Sequence, residues 1–587
     1  MSLVRKFACL IALPFVVVML ATASFSLVDS LASQPPQSRN TTRANDRHRY
    51  EISLNLDFDA LSYTGLQLVR WINRGDRSTS VVYFHLYSNL RVEPGGEDYE
   101  PRIEISAVHA ASTEAKLAFT LDDQNTTLRV YLGEAVPPGK AAEIVIKFAG
   151  RVPEIDPEET GLTTHVIKQV SAAVRGEREI RRARELNFRC RGVMMLATAF
   201  PVLVVQDGDD WLRKLEPSVG DTVFNDAADY EITVEASPGI SVHTAALERS
   251  REGNVRKFSA TALRDLAIIA GRNLQLKQTR VGDLTVRSIF VPEHERVANH
   301  VLTSATEAVR IFTTRFGPLP FEAITIAEVP LVAGLGSAEF AAFSVIASAF
   351  YVDFDSPVMR NLPEIIREQR PALEESLEWT VAHLVAHQWW GAAVGNDPAR
   401  HPVLDEALSS WSAYLYYNER YGEKKAAAIL EDQVKGVYRV YRTFGGEDMN
   451  ADRPAREYRN SLQYAAILTT KGALMFHELQ RLLGDARFFA ALQSYYKANL
   501  FEIADLDDLR GAMIAEAPLE QRRTVTRTFN RWLSSRRGDE DIAPPDSELA
   551  ATLGLPRPNA SRVGDRNAFT PFARLGKFFW QQMTRIR

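Results

Sequence analysis

At 587 residues, 45% hydrophobic and 24% charged, the chain exceeds what one hydrophobic core usually supports, and more than one domain is expected. A formal net charge of -5 provides no broad basic field, which argues against nucleic acid as a partner. Two cysteines, Cys9 in an N-terminal apolar run and Cys190, exclude a disulfide framework without excluding export.

Residues 1–28 contain a nearly unbroken apolar stretch, Phe7 to Val28, preceded by Arg5 and Lys6 and carrying Ala21-Thr22-Ala23. A basic flank, an apolar run and a small-residue triplet predict an export signal, either a cleaved signal peptide or, at about 20 apolar residues, a retained membrane anchor. The body of the protein is therefore expected on the periplasmic or extracellular face, secreted or anchored. Residues 29–46 are polar, include Pro35-Pro36, and read as a linker.

Polar and apolar residues alternate from Tyr50 to Asp59. Similar runs recur at Leu66 to Ile72, Ser80 to Leu86, Thr127 to Leu132, Ala142 to Phe148, Tyr230 to Val234, Ile240 to Thr244 and Leu284 to Phe290. Such half-buried strands predict an all-β domain over 47–292, interrupted near 158–191 by a basic, helix-compatible insertion. From Glu293 the period changes. Val297, Val301, Ala305, Val309 and Phe312 form one helical stripe, Ala323 to Val329 is a strand, and Leu373 to Trp390, Ala407 to Arg420 and Thr470 to Leu483 are helices. The second domain, 293–540, is mixed α/β and mainly helical. Residues 541–568 read as a linker, and 569–587 as a basic amphipathic helix that docks on its own domain or associates with a membrane surface.

Chemistry concentrates in Thr380-Val-Ala-His-Leu-Val-Ala-His-Gln-Trp-Trp-Gly391. His383 and His387, one helical turn apart, project two imidazoles from one face at the separation a tetrahedral zinc requires. Glu406 follows His387 after eighteen residues, inside the next helix. The chance expectation for the pair with an acid at that position is roughly 0.03, so coincidence is a poor explanation. Two imidazoles and a carboxylate leave zinc's fourth position open, as catalytic rather than structural sites do.

The His-x-x-x-His spacing, the following Gln-Trp-Trp-Gly, the Asp-Glu-Ala-Leu element, and outlying matches at Tyr83 to Tyr87, Phe316 to Pro320 and Lys471 to Ala473 resemble the M1 family of zinc aminopeptidases. The resemblance implies an N-terminal β-saddle domain on a thermolysin-like zinc domain, with zinc held by His383, His387 and Glu406. It also exposes three departures. Leu384 stands where the family has its general-base glutamate, and Thr469 where it has the tyrosine that steadies the oxyanion, with Tyr464 at the family's other, non-catalytic tyrosine position. The family's Gly-x-Met-Glu-Asn loop reads Gly336-Ser337-Ala338-Glu339-Phe340, which keeps an acid for a substrate's free amine.

A general base is worth about 10²–10⁴-fold and an oxyanion donor about 10²–10³-fold, so losing both implies an impaired enzyme. The leading expectation is an exported, zinc-binding M1-like pseudopeptidase that holds peptide N-termini. Its rivals are an active aminopeptidase that recruits another base, for example Glu339 or Asp405, and a structural or partner-binding subunit with an empty, vestigial site.

Overall fold

The alternation that begins the folded part has a direct structural counterpart. In His48–Asp57 the side chains of Tyr50, Ile52, Leu54 and Leu56 are buried while those between them face solvent. The computed structural model describes residues 47–90, 102–175, 178–179, 185–360 and 364–552. The N-terminal apolar run, the 29–46 linker and the C-terminal amphipathic helix lie outside these residues. Among the described residues, no helix is long and apolar enough to cross a membrane.

The strand His48–Asp57 lies inside a seven-stranded sheet, flanked by Ser62–Ile72 (antiparallel) and Ala228–Ala236 (parallel). Tyr50 and Tyr230 are register partners and stack with ring centroids 4.9 Å apart. The β-rich half also holds two four-stranded sheets, one built on Thr79–His85 and Thr127–Val136, the other on Val193–Leu196 and Ile268–Gly271, and a two-stranded one, Gln206–Asp207 with Asp210–Trp211. The insertion contains a helix, α1 (Leu162–Arg175), entered through a 3₁₀ turn at Pro157–Thr160 that Asp156 caps.

The second half is organised on a five-stranded sheet in the order Gln275–Val281, Leu284–Phe290, Ala323–Val329, Phe343–Ala347, Ser337–Phe340. Leu284–Phe290 pairs in parallel with Ala323–Val329, which needs a crossover; α2 (Glu295–Phe316) supplies it and buries the predicted stripe Val297, Val301, Ala305, Val309 and Phe312. Gln275–Phe290 thus belongs to this sheet, so the hand-over between halves falls before Gln275 rather than at Pro292. A period-two pattern identifies a strand but not the sheet it joins.

Four of the helices that follow concern the site: α3 (Arg370–Ala386), α4 (Val403–Tyr421), a short turn at Ser461–Tyr464 that runs through a π-helical segment at Ala465–Thr469, and α5 (Thr470–Leu483). Helices Asp485–Ala498, Leu506–Glu516 and Arg522–Ser534 pack outside them. Part of the stretch read as a linker is folded. Asp541 pairs with Arg531, and Ser547–Thr552 forms a helical turn that buries Ala550.

Arg264, from the β-rich half, donates to the carbonyls of Asn225, Ala392 and Glu502 and so ties that half to the helical one. The guanidinium fits because position 395 is glycine: a Cβ there would lie 2.2 Å from Arg264 Cζ.

Candidate metal centre and cleft

Helix α3 begins with Pro371 in its first turn, where the missing N–H costs nothing, and continues through a stretch without glycine that is buried on nearly all sides. His383 lies in its last turn and His387 just past its end, with the His387 N–H donating to the His383 carbonyl at 3.1 Å. Glu406 sits in the first turn of α4. The resulting convergence is tight. His383 Nε2 lies 3.0 Å from His387 Nε2 and 3.5 Å from Glu406 Oε2, and His387 Nε2 lies 4.0 Å from Glu406 Oε2.

A tetrahedral zinc with ligands at about 2.0–2.1 Å sets its donor atoms roughly 3.3 Å apart, so these separations suit it. His387 is buried, and that burial together with neighbouring His383 holds its ring neutral, down to about 4, against the opposing pull of Glu406 and Asp221. A neutral imidazole presents the lone pair a metal needs. Ser410 Oγ stands 3.5 Å from His383 Nδ1, facing the nitrogen that points away from the metal position. Among the described residues, this is the group of histidines and acids whose donor atoms all fall within 4.8 Å of one another. His383, His387 and Glu406 are a zinc site.

Leu384 has no exposed surface and packs within the core. It faces neither of the two cavities that meet at the histidines.

Glu339 lies on the edge strand Ser337–Phe340, opposite Ser344, and brings Oε1 to 3.8 Å from His387 Nε2. Gln388 holds this strand against α3. Its side-chain nitrogen donates to Phe340 O at 3.2 Å and Ser344 Oγ at 3.3 Å, and its oxygen accepts from the Ala342 N–H at 2.7 Å. Gly336 accepts from the Ala347 N–H, and Ser337 and Ala338 are buried beside the cavities. Glu339 and the metal ligands therefore share one site.

The larger cavity is lined by His383, Glu406, Glu339, Thr469 and Tyr464, and also by Lys168 and Glu179. Thr469 donates its hydroxyl to Ala465 O at 2.7 Å, inside the π-helical segment. Tyr464, at the tyrosine position the resemblance gives as non-catalytic, lines the same cavity, and burial with the nearby carboxylates of Glu406, Asp405 and Asp221 keeps the phenol protonated. A Cβ at Gly220 would lie 3.0 Å from the Tyr464 oxygen, so that glycine makes room for the phenol.

The second cavity, on the other side of His387, is lined by Asp221, Asp265, Glu339 and Asp405. Asp405 accepts from Asn396 at 2.9 Å, and burial with its acidic neighbours pushes its carboxyl well up. Asp221, Gly220 and Tyr464 escaped the sequence analysis as site residues. Asp221 and Gly220 come from a loop of the β-rich half without a motif, and no spacing rule connects that loop to α3.

Comparison with known proteins agrees with this geometry. The Peptidase family M1 domain matches residues 366–532. Aminopeptidase M1-B of Oryza sativa subsp. japonica is 29% identical over 138 residues, which is 24% of this chain and 16% of that protein. Aminopeptidase N of Lactococcus lactis subsp. lactis is 27% identical over 153 residues, 24% of this chain and 17% of that protein. The matched part thus spans about a sixth of the length of these relatives. The M1 zinc metallopeptidase of Deinococcus radiodurans superposes with a TM-score of 0.55 at 16% identity, covering 85% of this chain and 96% of that one. A mutant of that metallopeptidase bound to a Tyr-Ser-Ala substrate gives 0.52 at 17% identity, covering 84% and 94%. The chain is M1 aminopeptidase-like, with the fold of the two-domain M1 structures: a β-sheet-rich domain followed by a mainly helical peptidase domain.

Proposed function

We propose that this is an exported, zinc-binding M1 aminopeptidase-like protein that holds peptide N-termini and hydrolyses them poorly. The observation that carries the proposal is Leu384: beside a complete three-ligand set, the residue after His383 is apolar, wholly buried and outside the lining of both cavities. A bound zinc would supply Lewis-acid polarisation of a ligand carbonyl and of water. Everything else falls to the chain's own groups. Glu339 accepts the α-ammonium of a peptide, and the protonated Tyr464 phenol donates to a carbonyl oxygen lying over the site. Leu384 takes no proton, which leaves the site without the base its relatives are built around.

A second reading has its own support. Glu339 Oε1 stands 3.8 Å from His387 Nε2, close enough to the metal position to act as a base instead of an amine clamp, in which case the protein is a working aminopeptidase. One paired experiment separates these readings and the vestigial-site alternative. Metal content is measured on protein purified without chelator, and turnover of aminoacyl substrates on the same sample. About one zinc per chain with turnover near background supports the proposal. Zinc with fast, chelator-sensitive turnover favours the Glu339 base, and absence of zinc leaves a vestigial site.

A further inference from the structure

The described parts of the helical insertion border the cavity that holds the metal ligands and are attached at two places. On one side Glu159 O accepts from the Ala333 N–H at 2.8 Å, and His165 Nε2 lies 3.2 Å from Leu331 O with its ring edge-on to Phe350. On the other side the Glu179 N–H donates to Arg459 O at 2.7 Å, and its carboxylate accepts from the Ser461 N–H at 2.9 Å and hydroxyl at 2.8 Å. Between these attachments α1 presents Lys168 to the cavity that holds the metal ligands.

Lys168 is placed there by a glycine. A Cβ on Gly334, whose φ is +98, would lie 3.1 Å from Lys168 Cδ and Cε and 3.4 Å from Nζ, so a side chain at 334 would displace the lysine. Lys168 makes no ion pair among the described residues; its ammonium is an available charge on a wall otherwise rich in carboxylates. The distance to the opposite charge is bounded by the chain itself. Gly334 and Glu339 are five residues apart, so their Cα atoms lie at most about 17 Å from each other.

We propose that the cleft is a chamber for short peptides, roughly two to four residues long, whose C-terminal carboxylate pairs with Lys168 while their α-ammonium pairs with Glu339. This rests on the assignment of Glu339 as the amine acceptor and adds the substrate class: free short peptides rather than the ends of long chains.

The test is calorimetric titration of the zinc-loaded full chain with tri-alanine, its C-terminal amide and its N-acetyl form. Amidation is expected to weaken binding roughly fivefold in the wild type, the scale of a partly exposed ion pair. Lys168→Ala should bind the free and amidated peptides equally, and Lys168→Arg should retain the preference. N-acetylation should weaken binding in all three proteins. If N-acetylation matters but amidation does not, the carboxylate assignment is overturned while the amine assignment stands. If N-acetylation has no effect, or no peptide binds, both fall.

Discussion

The two walls of the cleft are built by different rules. The metal wall is local: the end of α3 supplies His383 and His387 one turn apart, and the first turn of α4 supplies Glu406. The other wall, spread over the two cavities, is assembled from distant segments, with Tyr464 from a turn before a π-helical segment and Lys168 from the insertion in the first, Asp221 from a loop of the β-rich half in the second, and Gly220 of that loop behind the Tyr464 phenol. The metal wall carries a full donor set, whereas on the proposed reading the groups that handle protons and orient a ligand differ from the family pattern. Holding a metal needs a few side chains on rigid helices, but catalysis needs groups from several elements to agree within a fraction of an ångström. A scaffold can therefore keep the first after losing the second.

The largest expected effect breaks the metal wall. His387→Ala should lower zinc content from about one per chain to near zero, and added zinc should cease to raise the melting temperature, because two remaining ligands hold the ion weakly. Unchanged stoichiometry by metal analysis would place the ion elsewhere.

Next comes repair of the proton-handling position. Leu384→Glu should raise hydrolysis of an aminoacyl anilide roughly 10²-fold, with some loss of stability because Leu384 is fully buried. Adding Thr469→Tyr tests which phenol serves the carbonyl oxygen. If Tyr464 already does, the second change adds little and Tyr464→Phe in the Leu384→Glu background removes most of the gain. Losses at one transition state are seldom additive, so the double variant is compared with both singles.

A smaller change sharpens the same wall. Gly220→Ala puts a methyl 3.0 Å from the Tyr464 oxygen. The crowding should cost about 1 kcal/mol and weaken tri-alanine binding by displacing the phenol, with zinc content unaffected. A parallel loss of zinc would mean that the two walls are not independent.

The mildest effect lies outside the cleft. Burial lowers His85, His165 and His243 each to about 4. Unfolded histidine takes up its proton near pH ~6.5, so between that value and about 4 the unfolded chain binds more protons than the folded one. Stability should fall as the pH is lowered through this window and level off above it. Melting curves from pH 7 down to 4.5 check the sign, and His243→Gln should flatten the slope.

Much of the fold was legible in the sequence because its signals are periodic. The stripe from Val297 to Phe312, the strands from His48 onward and the helix Thr470–Leu483 lie where side-chain alternation placed them. The zinc ligands were legible for a related reason: an i,i+4 pair and a following helix convert spacing into geometry with little help from the rest of the chain. Leu384 could be read as a departure from a family pattern. Its complete burial, and the Gln388 bonds that fix the neighbouring strand, belong to packing.

Tertiary structure decided the remainder. It moved Gln275–Phe290 into the second half's sheet, because partner choice depends on which crossover helix covers a strand rather than on the strand's own pattern. It brought Tyr464 into the cavity, where a π-helical segment and an abutting glycine place a phenol that no repeat predicts. It also set Lys168 in the lining of the cavity that holds Glu339, on a helix the sequence marked only as an interruption. Periodicity fixes which face of an element is apolar, but contacts between residues hundreds of positions apart arise from the packing of those faces, and they carry no local signature.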